Sequence, residues 1–220
     1  MIELNESARD FFLYTYFGIK NCDDISYEDI CKKCSERAYL DLARTIRFSK
    51  STKDIDEMKK EEAKNYIKKK NELIKNIKSS IFESIKVIDE NKFNCWHKDT
   101  CEKIINSFKN SELLNENFTF TYGQAQKWLN MTLKYVWLLG KLPKNIKNVL
   151  HVPVDSYIIE AAYDLGVSLD IQKEKWSKWD NYDSYIEFQD AIKKDCNEDC
   201  PIIWEGKAWI EVAKRHTYEN

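Results

Sequence analysis

Two short segments carry the residues best able to do chemistry. One is Gly123-Gln124-Ala125-Gln126-Lys127-Trp128 and the other is His151-Val152-Pro153-Val154-Asp155-Ser156. The first supplies an amine and the second a carboxylate. A desolvated lysine amine attacks electrophilic carbon and can form a Schiff base. A carboxylate stabilises positive charge that develops in a transition state, or activates a nucleophile. Each residue also has an ordinary reading: Lys127 as a solvated lysine in a first helical turn, Asp155 as an N-cap, His151 as a packing histidine. For Asp155 the two readings are compatible, because an aspartate at a helix start can cap the helix and still face a cleft. A turn that opens a helix offers backbone N–H groups to a phosphate. That makes Gly123, Gln124, Ala125 and Gln126 candidates for phosphate contacts, or simply polar first-turn residues.

Charge is distributed unevenly around these segments. From Asn117 to Val154 there is no Asp or Glu, in a chain with 37 acids and a formal net charge of −2. The same stretch carries Lys127, Lys134, Lys141, Lys144 and Lys147. An acid-free basic zone inside an acidic protein has the form of a polyanion footprint. A buried helix would exclude acids equally well. Lys141, Lys144 and Lys147 follow Gly140 and surround Pro143, a loop context open to DNA. Aromatic side chains that could stack on a base are Tyr122, Trp128, Trp176 and Trp179; they could equally cement short helices onto a core.

The stretch from Tyr122 to Gly166 resembles the helix-hairpin-helix DNA glycosylases, enzymes that excise damaged or modified bases. In that family a glycine-containing hairpin opens a helix, an apolar run follows, and a P-x-D or V-D element starts the next helix. Gly123 matches the first hairpin glycine and Lys127 the lysine; Val154-Asp155 matches the catalytic aspartate element and Leu165-Gly166 the helix end. Ala125 stands where the family has its second glycine, and Lys127 and Asp155 are separated by 28 positions, with Lys141 to Asn148 as an insertion. The resemblance implies an extruded base held by aromatic side chains. It further implies that Asp155 stabilises charge on the sugar as the N-glycosidic bond breaks, and that Lys127 forms a Schiff base. It implies DNA as partner; the cluster cysteines of some members are absent, and with no closely spaced set of four cysteines neither a metal nor a cofactor is expected.

The elements that must position these residues are helical. The chain has only five Gly and three Pro, with 43% hydrophobic and 13% aromatic residues, enough for a core and poor in turn formers. Apolar spacing predicts helices over 4–19, 27–48, 54–89 (broken once), 96–108, 128–139, 156–165, 184–194 and 201–214. Ser26/Asp29 and Ser184/Glu187 have the pattern of capping boxes. No strand alternation is visible. The expected fold is all-α, a compact multi-helix domain spanning 1–220 with a core subdomain at 95–170. Seven cysteines without a signal-peptide pattern favour reduced thiols; Cys31-Lys-Lys-Cys34 has the spacing of half a zinc site, with no second CxxC to complete it. No apolar run is long enough to span a bilayer, so the expected location is cytoplasmic. The competing functional expectations are a non-catalytic helical protein that binds a macromolecular partner through the Trp-rich C-terminal region, and a non-catalytic DNA-binding relative of the glycosylases.

Overall fold

The structure is a computed structural model that describes residues 6–20, 25–196 and 200–218. Cys22, one of the seven cysteines, lies outside the described residues. Among those residues the fold is all-α, with nine helices and no strand. One isolated antiparallel bridge joins Phe48 and Leu114. The helices are α1 (Glu6–Phe17), α2 (Tyr27–Leu42), α3 (Thr52–Glu57), α4 (Lys60–Ile85), α5 (Phe93–Lys109), α6 (Tyr122–Leu138), α7 (Ser156–Asp164), α8 (Tyr182–Asp195) and α9 (Pro201–Tyr218).

Local chemistry explains most of the boundaries. Ser26 caps α2 by accepting from the Asp29 amide at 3.0 Å. Ser51 and Asp54 form a reciprocal capping box at α3, which splits the expected long helix before α4 begins. In α4, Ile77, Ile81, Phe82 and Ile85 are buried along one face at helical spacing. Several boundaries differ from the sequence expectation, among them the start of α6, which lies at Tyr122 and not 128 because Thr121 and Gln124 form a capping box there. Helix α2 stops at Leu42 and tightens into a 3-10 turn, Ala43–Thr45, instead of running on to 48. Helix α8 starts earlier than Ser184, because Asn181 accepts from the Ser184 amide at 3.0 Å and takes the N-cap role itself.

Helix α6 is the axis of the molecule. Every residue from Tyr122 to Leu133 is buried, and one continuous hydrophobic cluster joins it to residues from Leu13 on α1 to Ile202 on α9. Trp128 packs against Tyr39 of α2 with ring centroids 5.0 Å apart, and its indole N–H donates to the Ser35 carbonyl at 2.9 Å. No helix among the described residues is long and apolar enough to cross a membrane.

The start of α6 is closed by a neighbouring turn, Trp176–Lys178. The Gly123 amide donates to the Trp179 carbonyl at 2.7 Å. A Cβ on Gly123 would stand 1.9 Å from the Trp176 carbonyl oxygen, so glycine is required here for close backbone approach. Replacement of Gly123 by Ala is expected to lower stability by about 3 kcal/mol, the upper end for over-packing. A Tm within error of the wild type in thermal unfolding would contradict this geometry.

Candidate functional site

The carboxylate segment is positioned by an unusual backbone arrangement. Residues 150–154 belong to no helix and run through the protein interior, with Leu150, Val152 and Val154 buried. A buried N–H or C=O needs a partner, and no sheet is present to provide one. Side-chain amides do so instead. The Val152 amide donates to Gln189 Oε1 at 2.9 Å, and Gln189 Nε2 donates back to the Val152 carbonyl at 3.0 Å. Gln126 Nε2 donates to the Val154 carbonyl, and the Val154 amide donates to Gln126 Oε1, both at 3.2 Å. Asn130 Nδ2 adds a bond to the Val152 carbonyl at 3.2 Å. Gln126 and Asn130 belong to α6, as does Lys127, so the clamp that fixes Val154 also sets Asp155 against Lys127.

The two candidate catalytic groups meet. Lys127 Nζ donates to Asp155 Oδ2 at 2.8 Å. The Lys127 side chain is 6% exposed and that of Asp155 19%. Asp155 Oδ1 caps α7 by accepting from the Tyr157 and Ile158 amides, each at 3.0 Å. Trp209 of α9 donates its indole N–H to Asp155 Oδ2 at 3.1 Å. Burial pushes the Asp155 carboxyl up. The Lys127 charge, its hydrogen bond and the donors from Ile158 and Trp209 outweigh that and hold it below its ordinary value. It is therefore a carboxylate at neutral pH.

The pair lies on the wall of an open cleft of about 1100 Å³. Helix α6 contributes Lys127, Met131, Lys134, Tyr135 and Leu138, one helical face. Helices α1 and α2 supply further wall residues, and Trp176, Glu205 and Trp209 complete the lining around Asp155. Glu205 is 1% exposed and forms an ion pair with Lys134. Burial raises its pKa, opposed by the Lys134 charge.

The other expected site residues are distributed differently. Lys141 and Trp176 line the cleft; Lys144 and Lys147 are exposed on the following loop. The expected phosphate cradle at the α6 start is filled from within the chain. The Tyr122 amide donates to Asp180, the Gly123 amide to Trp179, and the Gln124 amide to the Thr121 hydroxyl. Gln124 Nε2 donates to the Thr45 carbonyl at 2.9 Å, Ala125 is fully buried, and Gln126 clamps Val154. These four residues therefore hold the fold together where phosphate contacts were expected. Tyr122, Trp128 and Trp179 are also core side chains, at most 4% exposed; Trp179 donates to the Glu174 carbonyl at 3.2 Å. The C-terminal aromatic region is mostly packed inward, and the exposed aromatic side chains of α1 are Phe11, Phe12 and Tyr14. Two of the five lysines in the acid-free stretch, Lys127 and Lys134, are neutralised by carboxylates from outside it.

Trp209 and Glu205 were not singled out as site residues. Their i, i+4 spacing on an amphipathic helix places both on one face, but nothing in the sequence says that this face meets α6 and α7. Cys31 and Cys34 are buried on α2, and among the described residues no three His, Cys, Asp or Glu side chains are grouped as metal ligands.

Behind the cleft a buried polar network fixes tautomers. Asn130 spends its amide protons on Gln126 and Tyr185 as well as Val152, so its Oδ1 accepts from His97 Nε2 at 2.8 Å. His97 Nδ1 then accepts from the Tyr122 hydroxyl at 3.0 Å. The ring is neutral, and burial lowers its pKa to about 4 against the partial opposition of the Asn130 bond. An unfolded histidine titrates near 6.5. The unfolded state thus binds the extra proton first, and the stabilisation present above about pH 6.5 is lost as pH falls toward 4, on the order of 3 kcal/mol in full. Urea unfolding between pH 7 and 5 is expected to show a falling stability whose slope is reduced in His97→Gln; an unchanged slope would refute the assignment.

Removing one member of a buried ion pair strands the other. Lys127→Met is expected to cost about 3 kcal/mol in chemical denaturation, and Asp155→Asn less, since Asn also caps helices. Equal costs for the two would count against this account of the pair. No family model, no curated protein and no solved structure matches this chain.

Proposed function

We propose that the cleft receives an extruded nucleotide and that the protein is a DNA N-glycosylase-like enzyme, with Asp155 and Lys127 as its catalytic pair. The observation that carries this reading is the meeting of Lys127 Nζ and Asp155 Oδ2 at 2.8 Å on the wall of an open cleft that also presents Trp176 and Trp209. The cleft volume of about 1100 Å³ is ample for one nucleoside. Trp209 lies beside the carboxylate, is 38% exposed and offers a ring face to a flipped base.

In this reading the base leaves with the electron pair of the N-glycosidic bond and takes up a proton. The anionic Asp155 stabilises the positive charge left on the sugar, and water adds to the anomeric carbon and loses a proton. In the lyase route Lys127 first passes its proton to Asp155 Oδ2, the group it already donates to, and Asp155 hands that proton on to the departing base. The Lys127 lone pair then bonds to the anomeric carbon as the base departs, and opening of the sugar ring leaves a Schiff base. The pair serves the hydrolytic route by fixing the carboxylate in place, and the lyase route by giving the lysine proton a direct acceptor at 2.8 Å.

The test is base release from duplexes that carry a panel of modified bases. The wild type is expected to release at least one base, and Asp155→Asn, which retains the cap, to slow release by about a hundredfold or more. Borohydride trapping is expected to yield a covalent protein–DNA adduct that Lys127→Gln abolishes. Absence of release from every duplex would end the enzymatic reading.

A second reading, a non-catalytic protein that docks on a partner, is favoured by one observation. Helix α1 exposes Phe11, Phe12 and Tyr14 at 70%, 51% and 56%, an apolar patch of the kind interfaces use.

A further inference from the structure

We infer that Arg9, Arg37 and Arg44 form a phosphate subsite on the α1–α2 wall of the cleft, selecting a phosphorylated nucleoside over the bare nucleoside. The inference rests on the reading of the cleft as a nucleotide site and adds the group that anchors the ligand.

The first argument is compositional. The chain contains 30 Lys and only five Arg. Three of those five arginines line this one cleft, beside Lys127, Lys134 and Lys141. At the chain's own ratio, six basic residues would include about one arginine. Arginine presents a planar fork of donors that matches the oxygens of a phosphate, which lysine cannot reproduce.

The second argument is hydrogen bonding. Arg37 Nη2 bonds to Asp41 Oδ1 at 3.1 Å, and its guanidinium lies 4.3 Å over the Tyr16 ring. Asp41 also accepts from the Tyr135 hydroxyl at 2.7 Å. These contacts fix the guanidinium, yet Arg37 Nε is buried and has no hydrogen-bond partner among the described residues. The Arg37 side chain as a whole is 26% exposed and lines the cleft, so the fixed guanidinium can offer its remaining donors to a ligand oxygen.

The third argument is charge balance. Lys127 and Lys134 are neutralised by Asp155 and Glu205, and Asp41 is already engaged by Arg37. Among the described residues Arg9 has an ion pair with its neighbour Asp10 alone, at 3.4 Å. Arg44 has no carboxylate within ion-pair distance among the described residues. Arg37 lies on α2 and Arg44 on the 3-10 turn that ends it, and both line the cleft. Arg9, whose ion-pair partner is the adjacent Asp10, together with Arg44 and Lys141 therefore carries the positive charge of the cleft that no buried carboxylate offsets, and two of these three are arginines.

Isothermal titration of the full chain tests this with deoxynucleoside 5′-monophosphates, the matching nucleosides and a short single-stranded oligodeoxynucleotide. The phosphate is expected to tighten binding about tenfold or more. The double variant Arg9→Gln/Arg44→Gln, at two exposed positions, is expected to erase that increment while nucleoside binding and the far-ultraviolet circular dichroism stay unchanged. Binding of the mononucleotide would identify a free nucleotide as source of the phosphate, and binding confined to the oligonucleotide would identify a strand. Equal affinities with and without phosphate, no binding of any probe, or an increment that survives in the double variant would overturn the subsite. Phosphate-dependent binding without base release would leave the subsite standing and remove the glycosylase reading. Base release unaffected by the double variant at limiting substrate would do the reverse.

Discussion

A length of non-helical chain buried among helices must find a partner for each N–H and C=O, and here those partners are side-chain amides. Gln126 and Asn130 on α6 and Gln189 on α8 hold Val152 and Val154 in the place that a neighbouring strand would fill in a sheet. An amide side chain carries both a donor and an acceptor, so one glutamine can satisfy the two backbone groups of a single residue. The clamp is buried, which makes it expensive to break. It delivers the carboxylate of Asp155 to Lys127 on the cleft-facing side of α6.

The polar interior behind the clamp is continuous. Asn130 links the segment to His97 and Tyr185, and Tyr185 reaches His151 at 3.0 Å. Such a network specifies one arrangement of α5, α6 and α8, because every alternative leaves a donor or acceptor unmade. The cost is a molecule that depends on neutral histidines. His151 and Asn94 of this network also line a second, smaller pocket.

The cleft combines fixed charge with exposed apolar rings. Three ion pairs, Arg37–Asp41, Lys127–Asp155 and Lys134–Glu205, line it, and they hold long side chains in place at positions where water is partly excluded. Preorganised charge of this kind costs little to rearrange when a ligand enters. The aromatic lining comes from elements far apart in sequence, Tyr16 from α1, Trp176 from the turn that closes α6, and Trp209 from α9.

The helical class, the buried character of the segment after Gly123, the capping role of Asp155 and the α7 stop at Gly166 were all legible in the sequence, because each depends on residues within one or two turns of one another. Apolar periodicity and caps act locally. The pairing of Lys127 with Asp155 was open to suspicion, but its meaning was not, since an amine and a carboxylate 28 positions apart meet only if the chain between them folds back. The misplaced expectations share a cause. Gly123, Gln124, Ala125 and Gln126 have the composition of an open helix start, and only the arrival of Trp176–Asp180 over it closes that start. Trp128 and Trp179 have the composition of a stacking surface, and long-range packing turns them inward. Two lysines of the acid-free stretch, Lys127 and Lys134, pair with Asp155 and Glu205, which lie outside that stretch. Sequence therefore determined which segments are helices and which faces are apolar. Tertiary structure alone decided which buried polar groups became partners and which side chains were left lining a cleft, because those choices are made between residues that sequence distance keeps apart.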